Sequence, residues 1–322
     1  MTNVVERTTA MAERGDISGA HRFLDAAAVA GDVEALATLA SWYLSGIHVA
    51  RDLPRARSYL RRAATIGHVD CALMEIAFTA NGSGGPADWS KALGLLANAA
   101  VNDPIAAEQL ALIGAMHLND EGHPRHPPTG RVLSSSANVC QFDALFTAAE
   151  CAHVAGVSAT LLEPSMIVDP ATRQARPDPV RTSSAAVIGP ARENLVVRAL
   201  NQRIAVASHT AIEHGEPLTV LHYRFGQQYR SHHDALPNAT NQRRWTMLVY
   251  LNEGYRGGET QFADGLTVRG RGGDAILFRN LDAQGGIDLA ARHAGLPVHS
   301  GDKWLCTRWI RERPHDPWSG GP

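Results

Sequence analysis

The feature that most restricts this chain is a repeat in its first half. Leu24, Leu60 and Leu96 stand 36 residues apart, and the pairs Ala27-Ala28, Ala63-Ala64 and Ala99-Ala100 keep the same period. Gly31 and Gly67 follow it, with Asp103 in the third place. Each alanine pair leads into a turn (AGDVEA, IGHVDCA, NDPIAA) and then a second Ala/Leu-rich run. A unit of this length with small residues at fixed places predicts two antiparallel helices whose backbones approach closely. One such unit cannot bury its apolar face alone, so its neighbours must stack on it. Residues 17–118 are therefore expected to form a helical repeat array, with 1–16 as an N-terminal tail.

The stretches GDVEALATLASWYLSG and ARDLPRARSYLRRAA resemble Sel-one-like repeats, relatives of the tetratricopeptide repeat. The resemblance covers about 17–118 and is closest in the first unit; GSGGPADWS distorts a later loop. It implies a peptide- or protein-binding scaffold. The alternative is a brace for a second domain or a dimer.

A length of 322 residues is a prior for about two domains. With 44% hydrophobic and 19% charged residues, the chain reads as globular. Lys and Arg (30) nearly balance Asp and Glu (32), with a pI near 6.7, which excludes the basic footprint of a nucleic-acid binder. No apolar run approaches the ~18 residues of a membrane helix. Met1–Asp16 has no apolar signal core, so a cytoplasmic protein is expected. Cys71, Cys140, Cys151 and Cys306 form no CxxC, which argues against a disulfide framework and a thiolate zinc site. HLNDEGHPRHPPTG (117–130) is a linker by composition, and its histidines read as solvated. The linker is bounded at 119–134.

From 135 onward the pattern changes. Val139–Gly156 reads as helical, and so does Leu195–His214, where Val196, Leu200, Ile204 and Ala207 share a face. After Pro217 come short strands at 218–225, 246–252, 259–263, 274–280 and 304–310, separated by Gly-containing turns. Helices followed by several short strands predict a barrel or sandwich able to hold a small ligand.

His232-His233-Asp234 is an H-x-D. On a strand, positions i and i+2 share a face, so one imidazole and one carboxylate can meet one ion. His293 is the candidate third donor from a distant strand. His299 is an alternative, and His233 has the wrong parity. Two histidines and a carboxylate on one side of an octahedral ion leave three positions open, as in non-haem Fe(II) oxygenases. The motif alone is weak, because His68-Val69-Asp70 repeats it inside the helical half. Context favours 232–234, which follows a strand. Lys303 lies ten residues after His293, on a strand where Thr307 and Trp309 share its parity.

The run Tyr223…Tyr229…His232-x-Asp234, with RTS (181–183), Thr246…YLN, GGET (257–260), GDAILFRN (273–280) and HAGLPV…GDKW…W, resembles the prolyl 4-hydroxylase family of Fe(II)/2-oxoglutarate-dependent dioxygenases. The resemblance implies a double-stranded β-helix (jelly-roll) domain over 135–313, with 314–322 as a tail. It implies His232, Asp234 and His293 as iron ligands and Lys303 as partner of the cosubstrate's distal carboxylate. Tyr223, Thr260 and Thr307 are carried over by position as contacts in that pocket. Arg181, Ser183, Tyr229, Arg243 and Trp309 are likewise expected to line a substrate channel. The implied activity is hydroxylation of an unactivated C–H, foremost in a prolyl residue of a peptide or protein. It is coupled to conversion of 2-oxoglutarate and O2 to succinate and CO2, with ascorbate as a possible reductant. Arg311 stands where relatives often carry His, which bears on the preference for proline. The repeats are expected to recruit a peptide or protein substrate. A hydroxylase of a free amino acid or other small molecule, and a non-catalytic adaptor, are the other readings.

Overall fold

A computed structural model of the chain describes residues 3–136, 138–168 and 174–319. They form two compact units. The first holds the described residues up to Gly122 together with Pro190–Arg198; the second holds the rest.

The first unit is helical. After α1 (Val4–Glu13) come α2 (Ile17–Val29), α3 (Val33–Ser45), α4 (Leu53–Thr65), α5 (Val69–Asn81), α6 (Trp89–Ala99) and α7 (Pro104–Ala115). The repeat is written into the helix starts. Asp16, Asp52 and Asp88 each cap the first helix of a pair, accepting the N–H of Gly19, Arg55 and Lys91 at 2.9 Å. Asp32, His68 and Asp103 cap the second helices in the same way. Leu24, Leu60 and Leu96 are all buried, as are Ala20, Ala56 and Ala92 one turn earlier. A buried Arg57 with Glu75 (2.7 Å), also bonded to Thr79, ties α4 to α5.

Four expectations are corrected here. The stretch 1–16 is not a bare tail, because α1 occupies most of it. Asp103 does not take the turn-glycine place: α6 ends early, and this residue caps α7 as Asp32 caps α3. Val139–Gly156 is not one helix. Its first residues pair as a strand, and the helix begins only at the capping box of Thr147 and Glu150. Leu195–His214 is helical to Ala207, followed by a single 3-10 turn at Ile212–His214.

The second unit is sheet-rich. In chain order it contains β1 (Arg131–Ser134), β2 (Val139–Phe142), α8 (Ala148–Ala159), β3 (Glu163–Pro164), β4 (Met166–Val168) and β5 (Ala175–Pro177). Next are β6 (Ser184–Ile188), α9 (Leu195–Ala207), which starts in the first unit, β7 (Leu218–Tyr223), β8 (Tyr229–His232) and β9 (Arg243–Tyr250). The last are β10 (Arg256–Gly257), β11 (Thr260–Phe262), β12 (Thr267–Val268), β13 (Ala275–Arg279), β14 (His293–Gly295), β15 (Val298–Ser300) and β16 (Lys303–Arg311). The strand β1 falls within the stretch expected to be linker.

An eight-stranded sheet runs β1-β2-β13-β9-β16-β7-β6-β3, and a four-stranded sheet runs β12-β11-β14-β8. Their inner faces share one core. Leu221, Leu248, Ile276, Phe278 and Leu305 come from the larger sheet, and Phe262 and Val268 from the smaller. Alternation explains the sorting, since inward residues on each strand are two apart. Among the described residues no helix is long and apolar enough to cross a membrane.

Replacing Asp52 by Ala removes the cap of α4 and is expected to cost about 1 kcal/mol. Denaturant unfolding of the full chain checks this; an unchanged midpoint would contradict the capping role.

Candidate metal centre and its pocket

His232 ends β8 and His293 opens β14, and the two are cross-strand partners in the four-stranded sheet. Asp234 lies two residues on, beyond the end of β8, so strand alternation is not what aims it. Its own hydrogen bonds do that. The Thr246 hydroxyl donates to Asp234 Oδ2 at 2.7 Å, and Asn280 Nδ2 donates to that hydroxyl at 2.9 Å. Asp234 Oδ1 is 3.6 Å from His232 Nε2, and Oδ2 is 3.8 Å from His293 Nε2. The three ligand atoms lie within 4.8 Å of one another, and among the described residues no other such group of His, Cys, Asp or Glu occurs.

The tautomers follow from the backbone. His232 Nδ1 faces the Arg230 carbonyl at 2.7 Å, and His293 Nδ1 faces the Ala291 carbonyl at 3.0 Å. A carbonyl only accepts, so both Nδ1 atoms carry the proton and both Nε2 lone pairs point to the carboxylate side. Burial pushes His293 down to about 4, partly offset by Asp234, so its ring is neutral at pH 7. Burial works against the Asp234 carboxylate. Positive charge on the His293 and His232 rings, when they are protonated, and the Thr246 hydroxyl outweigh it and hold the carboxyl well below its ordinary range. Two neutral imidazole nitrogens and one ionised oxygen form a donor set suited to a divalent first-row metal with positions left open.

The wall beside this trio is β16. Lys303, Leu305, Thr307 and Trp309 share its inward parity and line one cavity together with the trio. Lys303 is 2% exposed. Its Nζ donates to the Gly258 carbonyl at 2.7 Å, the one protein acceptor it has among the described residues. The ammonium lies 5.3 Å from the Tyr223 ring centre and 5.6 Å from that of Tyr250. Burial pushes it down to about 8, against a weaker upward pull from Glu259. An ammonium has three donors, so this buried cation is ready for an acidic guest. Gly258 has φ +71, and a side chain there would press on Lys303 and Val298.

The expected cosubstrate contacts all lie on this cavity. Tyr223 pairs across the strand with Lys303, and burial pushes its hydroxyl well up. Thr260 Oγ1 accepts from the Tyr250 hydroxyl at 2.9 Å. Thr307 Oγ1 is buried without a hydrogen-bond partner among the described residues. Sequence reasoning gave no role to Tyr250, Thr246 or Asn280. The first two share parity on β9 with the cavity residue Leu248, and that alternation was the available signal.

The substrate-channel residues divide. Tyr229 and Trp309 are on the cavity wall, with Tyr229 stacked on His232 at 3.5 Å between ring centres. Arg181, Ser183 and Arg243 are not among its lining residues. Arg181 bonds to Ser165 Oγ and its guanidinium lies 5.8 Å from the Tyr229 ring. Ser183 is buried, its carbonyl taken by Ser165. Arg243 makes a two-pronged bond to Glu216 and stacks 3.9 Å over Trp309. His299 is exposed, and His233 is not part of the trio. His68 of the other H-x-D is a helix cap.

A family model described as the 2OG-Fe(II) oxygenase superfamily matches residues 218–311. The chain is 30% identical over 205 residues to probable prolyl 4-hydroxylase 10 of Arabidopsis thaliana, covering 56% of this chain and 71% of that protein. It is 32% identical over 202 residues to prolyl 4-hydroxylase 1 of the same plant, with the same coverage. Among solved structures, the viral collagen prolyl hydroxylase of Paramecium bursaria Chlorella virus-1 is 24% identical, with TM-score 0.44, covering 54% of this chain and 95% of that one.

Replacing Thr246 by Val leaves Asp234 without its hydroxyl donor. Divalent-metal affinity is expected to fall by about ten- to a hundredfold. Titration with Mn(II) checks this, and unchanged affinity would contradict the orienting role.

Proposed function

The chain belongs to the prolyl 4-hydroxylase family of 2-oxoglutarate- and Fe(II)-dependent oxygenases, and from that premise we propose that it hydroxylates a prolyl residue of a peptide or protein. The observation that carries this reading is the pairing of a His–Asp–His trio with a buried, under-satisfied ammonium on one cavity. His232, Asp234 and His293 would hold Fe(II), which supplies activation of O2 and its use with 2-oxoglutarate to give succinate, CO2 and the hydroxylated product.

Lys303 takes the distal carboxylate of 2-oxoglutarate, with Thr307 and Tyr223 supplying hydroxyls beside it. Charge favours this arrangement. Ferrous iron, the Asp234 carboxylate, the 2-oxoglutarate dianion and the Lys303 ammonium sum to zero, which lowers the cost of burying them together. Thr260 is already engaged by Tyr250, so it shapes the pocket wall. The apolar residues Leu221, Leu248 and Leu305 keep water from the reacting groups. Tyr229 and Trp309 offer aromatic faces for the target ring, with Arg181 and Arg243 behind them.

We read the two facing sheets as the walls of a double-stranded β-helix, and α2 to α7 as a repeat solenoid that recruits the peptide or protein substrate. The residue set 135–313 is then the oxygenase domain. Ascorbate as reductant and a cytoplasmic location are part of the same proposal, the latter consistent with four free thiols.

With Fe(II) and 2-oxoglutarate the full chain is expected to release succinate. Replacing His232 or Asp234 by Ala abolishes it; persistence in both variants overturns the assignment. A pH series tests Lys303. Its pull on the cosubstrate is complete below about pH 8 and fades above it, by up to tenfold in affinity per pH unit. Binding of 2-oxoglutarate to the Mn(II)-loaded protein measures this, and a flat profile from pH 7 to about 9.5 would contradict it.

A further inference from the structure

A second charged cluster stands at the end of β16 away from Lys303. Arg311 closes that strand, Arg243 opens β9, and Glu216 lies just before β7. The three strands are neighbours in the order β9-β16-β7, and Arg311 is the cross-strand partner of Arg243. Glu216 accepts Arg243 Nε at 2.6 Å and Nη2 at 2.7 Å, and also Arg311 Nε. Arg243 Nη1 reaches the main-chain carbonyl of Asp234 at 3.4 Å, which joins the cluster to the metal trio. Glu216 and Arg311 are buried.

The charge here does not close. Two guanidiniums sit opposite each other on paired strands, an arrangement that is unfavourable by itself. One carboxylate stands between them. His315 faces the same three groups and Asp316, which is exposed; burial pushes the imidazole below its ordinary value, so it adds no further positive charge at pH 7. Beside Tyr229, Arg181 has a hydroxyl partner and no ion pair among the described residues, with Asp178 the nearby acid acting on Tyr229. Trp309 belongs both to the cluster, under Arg243, and to the cavity wall. Its indole Nε1 is buried with no acceptor among the described residues. An unmet buried donor is costly, and an acceptor on a guest relieves it.

We propose that this end of the cavity is a carboxylate-recognition subsite, so that the enzyme selects substrates carrying a carboxylate beside the residue it hydroxylates. Trp309 supplies the N–H, and Arg243 and Arg311 supply the uncompensated positive field, which acts strongly because the site is withdrawn from water. The carboxylate is either an acidic side chain next to the target or the substrate's own C-terminal group. The inference rests on the hydroxylase reading and names its substrate class.

The test is binding, so that it does not depend on turnover. The full-length protein is loaded with Mn(II) and 2-oxoglutarate and titrated with short proline peptides. The set carries Glu, Gln or Lys beside the proline, each with a free or an amidated C terminus. The carboxylate-bearing members are expected to bind about tenfold more tightly than their neutral counterparts. Whether Glu or the free terminus gives the gain tells the two sources apart. The gain should shrink in Arg311→Gln, and also in Trp309→Phe, which keeps the ring and removes the N–H. Should Arg311→Gln fail to fold, Trp309→Phe and the wild-type series still decide. Equal or undetectable binding across the set, or a preference for Lys, overturns the subsite. Succinate release dependent on Fe(II) and 2-oxoglutarate would leave the hydroxylase reading standing in that case.

Discussion

An ammonium buried to 2% exposure with a single protein acceptor is a cost the fold must have a use for. Lys303 sits between the Tyr223 and Tyr250 rings, whose faces stabilise a cation without giving it a counter-charge. The remaining two donors wait for a ligand. Much of the sheet-rich unit is arranged around that waiting charge. Gly258 turns its carbonyl toward it, β7 brings Tyr223 alongside it, and β9 places Tyr250 with its hydroxyl held by Thr260. At the other side of the same cavity an ionised carboxylate is equally withdrawn from water and equally dependent on a guest.

The metal trio is pre-oriented by main chain rather than by side chains alone. Each histidine is pinned by a carbonyl two residues before it, Arg230 for His232 and Ala291 for His293. That spacing fixes both rings through the local strand and turn, so neither imidazole has to swing when a metal arrives. Asp234 is held through Thr246 on β9 and Asn280 just past the end of β13, the neighbouring strand of the larger sheet. The trio therefore draws on both sheets, and their packing through Phe262 and Phe278 sets its dimensions.

The sequence disclosed the parts that obey a period. The 36-residue repeat led to the paired helices because each helix start carries a cap and the first helix of each pair a buried Leu. The parity of Lys303, Thr307 and Trp309 led to the cavity wall because β16 is regular from Lys303 to Trp309, its register shifting only at Ile310/Arg311. What stayed hidden was set by tertiary contact. Val139–Phe142 reads as part of a helix until β13 is there to pair with it. Asp234 was placed in the right company by the wrong reasoning, since a turn and not a strand delivers it. Arg181 and Arg243 read as channel residues because an arginine's position in sequence does not say which acid or hydroxyl will claim it; Glu216 is 27 residues from Arg243.

The regularity of β16 has an evolutionary consequence. It is paired on both sides, to β9 and to β7, and its alternate residues run from the buried ammonium to the Trp309 indole. Inserting or deleting one residue in its middle would turn one end of that row to the opposite face while both neighbours held the backbone in place. Lineages descending from this chain are therefore free to exchange side chains along the strand one at a time, but not to change its length. Diversification of what the enzyme accepts must proceed by replacement here and by loop growth elsewhere.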